Sequence, residues 1–220
     1  TMQKYQCYTL IFSSSASVYR PKGFKLLKET DEIKPSTPYG KTKLCIEQIL
    51  FDLFACEKNW KIVSLRYFNP IGSHSLGFLS ENSRGNSSNL FPAIKKTILG
   101  GQKELLIYGC DWPTYDGTCV RDFIHVMDLA EAHIASLNYL KKNKSQNIAI
   151  NIGTGKGSTV LEIIKKFQEI KGISFPYNFT HRRLGDEPFL VAENTLALQL
   201  LDWFPKRNIE DICNDYVIDL

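Results

Sequence analysis

The sequence predicts an α/β fold built on a parallel sheet, and three observations carry that prediction. An apolar run from Tyr8 stops in Ser13-Ser14-Ser15, as a strand buried on both faces does. A helical pattern follows from Pro38 to about Glu57. Lys61 to Tyr67 then reads as a second strand. Strand, helix, strand is the unit of a parallel sheet, because parallel neighbours need a crossover.

Each element has its own signal. The stretch from Arg20 to Thr37 is polar and punctuated by Pro21, Gly23 and Pro35, so it reads as a loop. Ser36 or Thr37 can cap the helix, and Pro38 suits its first turn. Ile46, Ile49, Leu50 and Leu53 fall at helical spacing and predict one buried face. Residues 69–89 are rich in Gly, Ser and Asn and too long for a simple connector, which predicts a functional loop. Leu90 to Leu99 reads as a helix stopped by Gly100-Gly101. Further on, the pattern predicts strands at 105–108 and 147–152 and helices at 128–142 and 158–171. Two short helices broken at Pro205 complete the chain.

At 220 residues the chain can bury roughly 70% of its unfolded surface, so it can carry a true core. It is 43% hydrophobic and 23% charged, which excludes collagen-like and disordered classes. No apolar run is long enough for a transmembrane helix. The net charge of +4 comes without a dense basic block, so no nucleic acid partner is expected. The six cysteines show no Cys-x-x-Cys and no zinc-ligand spacing. They predict reduced, mostly buried thiols, a cytosolic protein and no metal site.

The informative motif is Tyr39-Gly40-Lys41-Thr42-Lys43. Tyr39 and Lys43, four apart, share a helical face with Ile46 and Leu50, so both should point towards the sheet end where ligands of open α/β folds bind. A phenol near its ordinary pKa of about 10 is a poor base. A neighbouring ammonium favours the phenolate, which can then take a proton from a hydroxyl held by a serine. Losing that proton helps hydride leave the same carbon, and nicotinamide is the common acceptor. Gly153-Thr154-Gly155-Lys156-Gly157-Ser158 invites a phosphate-loop reading, but it matches neither a Walker A nor a dinucleotide fingerprint. A tight strand-to-helix turn is expected there, and His125 and His133 are expected to be structural.

Taken together, Phe12 to Tyr19, Pro38 to Lys43 and Leu65 to Gly72 resemble the extended short-chain dehydrogenase/reductases. Asp116 to Ala130 and Arg182-Arg183-Leu184-Gly185-Asp186 narrow the resemblance to the UDP-glucose 4-epimerase branch. It implies a partial Rossmann-like parallel sheet with a smaller α+β substrate domain. Residues 1–70 would belong to the NAD-binding domain with its catalytic helix. Residues 71–220 would mainly bind the nucleotide sugar, with segments near 122–155 packing back on the first domain. The implied cofactor is NAD and the implied substrate a UDP-hexose, epimerised at C4 through a 4-keto sugar.

The roles follow by position. Tyr39 would be the base, Ser15 would hold the sugar 4-hydroxyl, and Lys43 would bind the nicotinamide ribose. Phe68 would line the cofactor site. Asn69, Asn89, Leu90, Leu106, Ile107 and Tyr108 would surround the nucleotide sugar. Arg121 and Arg183 would contact the diphosphate, and Asp186 the uridine ribose. Arg20 stands where the family commonly has glycine. Leu190 falls at the position gating space near the sugar 2-substituent, which leaves N-acetyl sugars open. The glycine fingerprint expected before the serine strand does not occur in this sequence. The chain is therefore expected to be the C-terminal two-thirds of a longer enzyme, a homodimer when full length and poorly active as a fragment. The rival readings are an N-acetylhexosamine 4-epimerase or a dehydratase on the same fold, and a non-catalytic nucleotide-sugar-binding module.

Overall fold

A computed structural model describes residues 1–21, 23–77, 79 and 89–218 of the chain. Part of the loop expected across residues 69–89 lies outside them. Three strands run parallel in the order β1 (Thr9–Ser15), β2 (Lys61–Tyr67) and β7 (Gln146–Ile152). The central strand β2 alternates its side chains between two covered faces. Ile62 packs under helix α1 (Pro38–Cys56) with Leu50 and Trp60. Val63 and Leu65 pack on the other face with Leu129, Ala132 and Leu140 of α3 (Val126–Lys142) and with α5 (Thr195–Leu201). The predicted strand, helix and strand therefore form within one or two residues of their expected bounds.

A second cluster forms around three rings. Phe91 of α2 (Leu90–Ile98), Phe167 of α4 (Val160–Lys171) and Tyr216 after α6 (Ile209–Asp215) meet edge to face, with centroids 5.0 to 6.1 Å apart. Such contacts add to the stabilisation from burying the rings. Strands β4 (Leu105–Tyr108) and β9 (Tyr177–Thr180) pair in parallel beside them. Short strands join the two clusters. β3 (Asn69–Ile71) pairs with β6 (Phe123–His125), and β5 (Val120–Arg121) lies between β8 (Ser158–Thr159) and β10 (Phe189–Leu190). These two- and three-residue strands are too short for sequence periodicity to announce.

Caps explain the helix starts. Thr37 accepts from the Gly40 N–H at 3.1 Å, with Pro38 in the first turn of α1. The helix expected from Ser158 starts two residues later, because Thr159 and Glu162 form a reciprocal capping box and Ser158 stays in a strand. The helix expected from Asp128 starts two residues earlier, because the ring of His125 accepts from the Met127 N–H at 3.0 Å. His125 thus has the structural role expected of it.

Two expectations need correction. The thiols are free, but Cys7, Cys45, Cys56 and Cys110 are exposed and only Cys119 and Cys213 are buried. Of the apolar stripe of α1, Leu50 is buried and Leu53 packs partly buried against the same cluster, but Ile46 and Ile49 are 38% and 57% exposed. That face packs on Trp60 and Ile62 only along its Leu50 side, so the rest of the stripe stays at the surface.

Buried charge locks α1 to the sheet. Ser14, Arg66 and Asn151 stand in register across β1, β2 and β7. Arg66 donates to both carboxylate oxygens of Glu47 on α1, at 3.0 and 2.6 Å, and to the Tyr19 hydroxyl at 2.9 Å. Ser14 donates to the same carboxylate, and Tyr19 to Asn151 at 2.7 Å. Burial pushes the Tyr19 hydroxyl up to about 12, against the pull of Arg66, so it stays protonated.

Two predictions follow from this packing. Arg66→Met strands the Glu47 carboxylate and is expected to cost about 3–5 kcal/mol, read by urea unfolding. Adding Glu47→Leu should recover at least half of it, and no recovery would show that the pair is not a unit. Separately, burial holds His125 below its ordinary pKa of 6.5, although Asp215 pulls it up. The folded chain then binds fewer protons at this site than the unfolded chain, so stability contributed here falls as pH drops through about 6.5. The urea midpoint is expected to fall between pH 7.5 and 5.5, and to fall less in His125→Asn, whose side-chain oxygen can still cap α3. Equal losses would assign the effect elsewhere.

Candidate active site

β1 and β2 end together, with Ser15 opposite Tyr67, and a cavity of about 760 Å³ opens beyond those ends. This is the carboxyl edge of a parallel sheet, where open α/β folds bind ligands. Ser15 closes β1 and caps the short 3-10 turn Ala16–Val18, accepting from the Ser17 N–H at 3.1 Å. Its hydroxyl also donates to Ser17 Oγ at 3.1 Å. Tyr39, in the first turn of α1, lines the same cavity and is 55% exposed. Lys43, one turn later, does not line it. Lys43 Nζ donates to the Ser13 carbonyl at 2.8 Å and lies 5.5 Å from the centre of the Tyr39 ring.

Close backbone approach fixes where Tyr39 stands. A Cβ on Gly40 would sit 2.2 Å from the Ser17 carbonyl oxygen and 2.8 Å from Pro35 Cβ. Only glycine lets the first turn of α1 rest on the turn that carries Ser15. The motif's glycine is therefore a spacer between the two candidate catalytic side chains.

The remaining expected residues converge on this cavity. Phe68 and Asn69 follow β2, and Asn89 and Leu90 open α2. Leu106, Ile107 and Tyr108 come from β4, and Arg121 from β5. Arg183, Asp186 and Leu190 come from the segment after β9. The Arg183 guanidinium stacks 3.7 Å from the centre of the Tyr108 ring. Arg121 donates to the Val120 and Glu187 carbonyls at 2.9 and 2.7 Å and lies 3.4 Å from an Asp186 carboxylate oxygen. Two guanidiniums with fixed planes can grip phosphate oxygens in a bidentate way. Arg20, where the family commonly has glycine, is exposed, and its N–H donates to the Glu32 carbonyl at 2.9 Å.

The glycine-rich turn after β7 already holds an anion, and it belongs to the protein. The buried Asp122 carboxylate accepts from the Thr154 N–H and hydroxyl at 2.8 and 2.6 Å, from the Gly155 N–H at 3.0 Å and from the Ala192 N–H at 3.1 Å. A Cβ on Gly153 would sit 2.5 Å from this carboxylate. Burial raises the Asp122 pKa, while these hydrogen bonds lower it. The turn is structural, and the phosphate-loop reading fails because its donors are spent.

Sequence reasoning missed four contributors. Tyr67 and Ser17 line the cavity, and Glu47 with Arg66 anchors the wall that carries Tyr39. The signal for Tyr67 was present, since a strand paired with the serine strand should end at the same level. The signal for Arg66 was a charge inside an otherwise buried run. Among the described residues no cluster of three or more His, Cys, Asp or Glu could hold a metal, and no helix is long and apolar enough to cross a membrane.

Comparison with known proteins agrees with this geometry. The chain is 42% identical over 216 residues to a bifunctional UDP-glucose 4-epimerase and UDP-xylose 4-epimerase of Arabidopsis thaliana, covering 98% of this chain and 62% of that protein. It is 41% identical to the UDP-glucose 4-epimerase of Bacillus subtilis, covering 97% of this chain and 63% of that protein. Among solved structures, the UDP-glucose-4-epimerase of Stenotrophomonas maltophila, with bound NAD and formylated UDP-arabinopyranose, superposes with a TM-score of 0.93 at 41% identity. That match covers 97% of this chain and 63% of the other. The enzyme of Bifidobacterium longum, in complex with NAD+ and UDP, gives 0.91 at 40%, covering 97% and 64%. The chain thus spans about 62% of the length of the curated relatives it matches. The sequence profile of the NAD dependent epimerase/dehydratase family matches residues 1–153, and the chain belongs to that family.

Proposed function

We propose that this chain carries the catalytic helix and the nucleotide-sugar site of an NAD-dependent UDP-hexose 4-epimerase. The observation that supports it is the meeting of Ser15 and Tyr39, with Lys43 behind them, in a cavity that also holds Arg121 and Arg183. In this reading Tyr39 takes the proton of the sugar 4-hydroxyl, and Ser15 holds the oxygen. Arg121 and Arg183 hold the diphosphate while the hexose turns over, and Tyr39 gives the proton back. The anchored diphosphate keeps the keto sugar from leaving between the two half-reactions.

The donor set fits the nicotinamide end of the cofactor. An ammonium has three N–H groups, and the Ser13 carbonyl takes one from Lys43, leaving donors for ribose hydroxyls. Phe68 adds a flat apolar wall beside them. When bound, NAD accepts hydride from C4 and returns it, so it is regenerated. The proposed setting is a cytosolic homodimer. Ile49 and Phe51, 57% and 65% exposed on α1, supply apolar surface for a second copy to cover.

Leu190 on the cavity wall supports a second reading, in which N-acetylated hexoses are also accepted. Product analysis with UDP-galactose and UDP-N-acetylgalactosamine separates the two.

Two variants test the first reading in the protein as its gene encodes it. Tyr39→Phe is expected to lower kcat for UDP-galactose conversion by about 100-fold or more, with KM near that of the parent. An unchanged rate would overturn the mechanism. Gly40→Ala forces the helix start away from Ser17 and is expected to lower kcat by about 10- to 100-fold. Circular dichroism should show the helix content retained, and full activity would mean that the Ser15–Tyr39 spacing is not critical.

A further inference from the structure

Two arginines stand side by side after β9, and only the second, Arg183, has a part in the proposed mechanism. Their surroundings are opposite. Arg183 lines the cavity and stacks on the Tyr108 ring. Among the described residues it makes no hydrogen bond or ion pair, so all its N–H groups are unclaimed. Arg182 does not line the cavity and is engaged outside it. Its guanidinium lies 4.0 Å from the centre of the Trp112 ring. Its Nε donates to an Asp111 carboxylate oxygen at 2.8 Å, and its Nη2 to the Asp111 carbonyl at 2.6 Å. The Arg182 hydrogen bond holds the Asp111 carboxyl below its ordinary range.

The backbone gives this contact its weight. The β4–β9 pairing ends where the Gly109 N–H donates to the Thr180 carbonyl at 2.9 Å. The next bond to another element is the one from Ser36 to the Gly185 carbonyl. Between them, among the described residues, the backbone of 181–184 bonds only within its own turn, where the Asp186 N–H donates to the Arg183 carbonyl at 3.2 Å. His181 and Leu184 are exposed, so the two stacked guanidiniums are what hold this stretch. Gly109 makes room for the outer stack. Its φ is +83°, and a Cβ there would lie 2.4 Å from Trp112 Nε1 and 3.1 Å from Arg182 Cγ.

We infer that Arg182 is a positioning residue: stacked on Trp112 and bonded to Asp111, it holds the 181–184 stretch so that Arg183 stands on Tyr108 with its donors free for the diphosphate. Arg182 itself touches no substrate. Its contribution is preorganisation. A long side chain that must be ordered when the ligand arrives loses affinity to that ordering, and one already seated does not. An exposed ion pair alone would hold little. The ring under the guanidinium and the second bond, to a backbone carbonyl, supply the rest. The inference rests on the reading of this cavity as a nucleotide-sugar site, and its test separates the two.

The first measurement needs no ligand. Nitrogen-15 relaxation of the Arg183 Nε–H, assigned by its loss in Arg183→Lys, is expected to report an ordered side chain in the parent protein and a mobile one in Arg182→Met. Equal order in both, or a mobile Arg183 in the parent, would overturn the inference. The second measurement is binding and turnover in the protein as its gene encodes it. Arg182→Met is expected to weaken UDP binding in calorimetry about three- to tenfold, and to raise KM for UDP-galactose by a similar factor with kcat nearly unchanged. Trp112→Leu keeps the Arg182 charge and is expected to weaken UDP binding as well. Unchanged affinity in Trp112→Leu would make the effect one of charge alone and rule out positioning. In an Arg183→Met background, Arg182→Met should cost nothing further, and the same loss in both backgrounds would also count against it. If the parent protein binds no UDP, the proposed function falls, while the Arg183 relaxation still decides whether Arg182 positions it.

Discussion

The buried guanidinium of Arg66 is the constraint on which the site's geometry depends. It is 4% exposed and reaches from the central strand to Glu47 on α1 and to Tyr19 beyond β1. A charge taken this far from water is tolerated only when its partners are complete. Here they come from the elements that build the candidate catalytic wall: the helix with Tyr39, the turn after Ser15 and, through Ser14 and Asn151, both neighbouring strands. A rotation of α1 by one residue would remove Glu47 from Arg66 and leave both charges unpaired. Apolar packing of α1 fixes it less sharply, because Leu50 is its one buried large side chain and Leu44, Leu53 and Phe54 are only partly buried. The ion pair sets the helical phase, and the phase aims Tyr39 and Lys43.

Asp122 does the equivalent for the other wall. Its carboxylate collects N–H groups from the turn after β7 and from Ala192, two residues beyond Leu190. Its backbone carbonyl accepts from Asn69, and its neighbour Arg121 enters the cavity. One buried acid therefore fixes the relation of the candidate diphosphate arginine, the sugar-gating Leu190 and the end of the sheet. Both walls use the same device, a buried charge whose full set of partners exists in one arrangement only.

Much of this was legible in the sequence, and the reason is periodicity. The helix at 38–56 and the strand at 61–67 are long enough for their apolar spacing and caps to be read directly. Phase could place Tyr39 and Lys43 on one helical face beside the end of the serine strand, while the choice of Ser15 among its three serines rested on the family resemblance. Two features were read wrongly for one physical reason. Helical spacing says that Ile46, Ile49 and Leu50 share a face, but not how wide the surface beneath them is. Here that surface does not reach Ile49 and Cys45, which are left exposed. Short strands such as β5 and β8 escaped for a different reason, since two residues carry no period. Asp122 and Glu47 escaped because a lone acid in sequence looks solvated until its partners, many residues away, are known.

The two walls meet where the ligand would be held. Ser36, two residues before α1, donates to the Gly185 carbonyl at 3.3 Å, and a Cβ on Gly185 would touch Thr37 at 3.1 Å. Gly185 lies in the turn between Arg183 and Asp186, and its φ of +86° favours glycine. The segment offering the candidate nucleotide contacts therefore rests on the cap of the helix offering the candidate base. That exposed hydrogen bond lies above a buried cluster in which Leu44 of α1 and Ala16, Val18 and Tyr19 of the turn after β1 pack with Phe68, Leu190 and Ala192, so the two walls are joined at their base. A nucleotide sugar touching both walls would therefore meet the candidate diphosphate arginines and Tyr39 at a separation that the protein's own packing has already set.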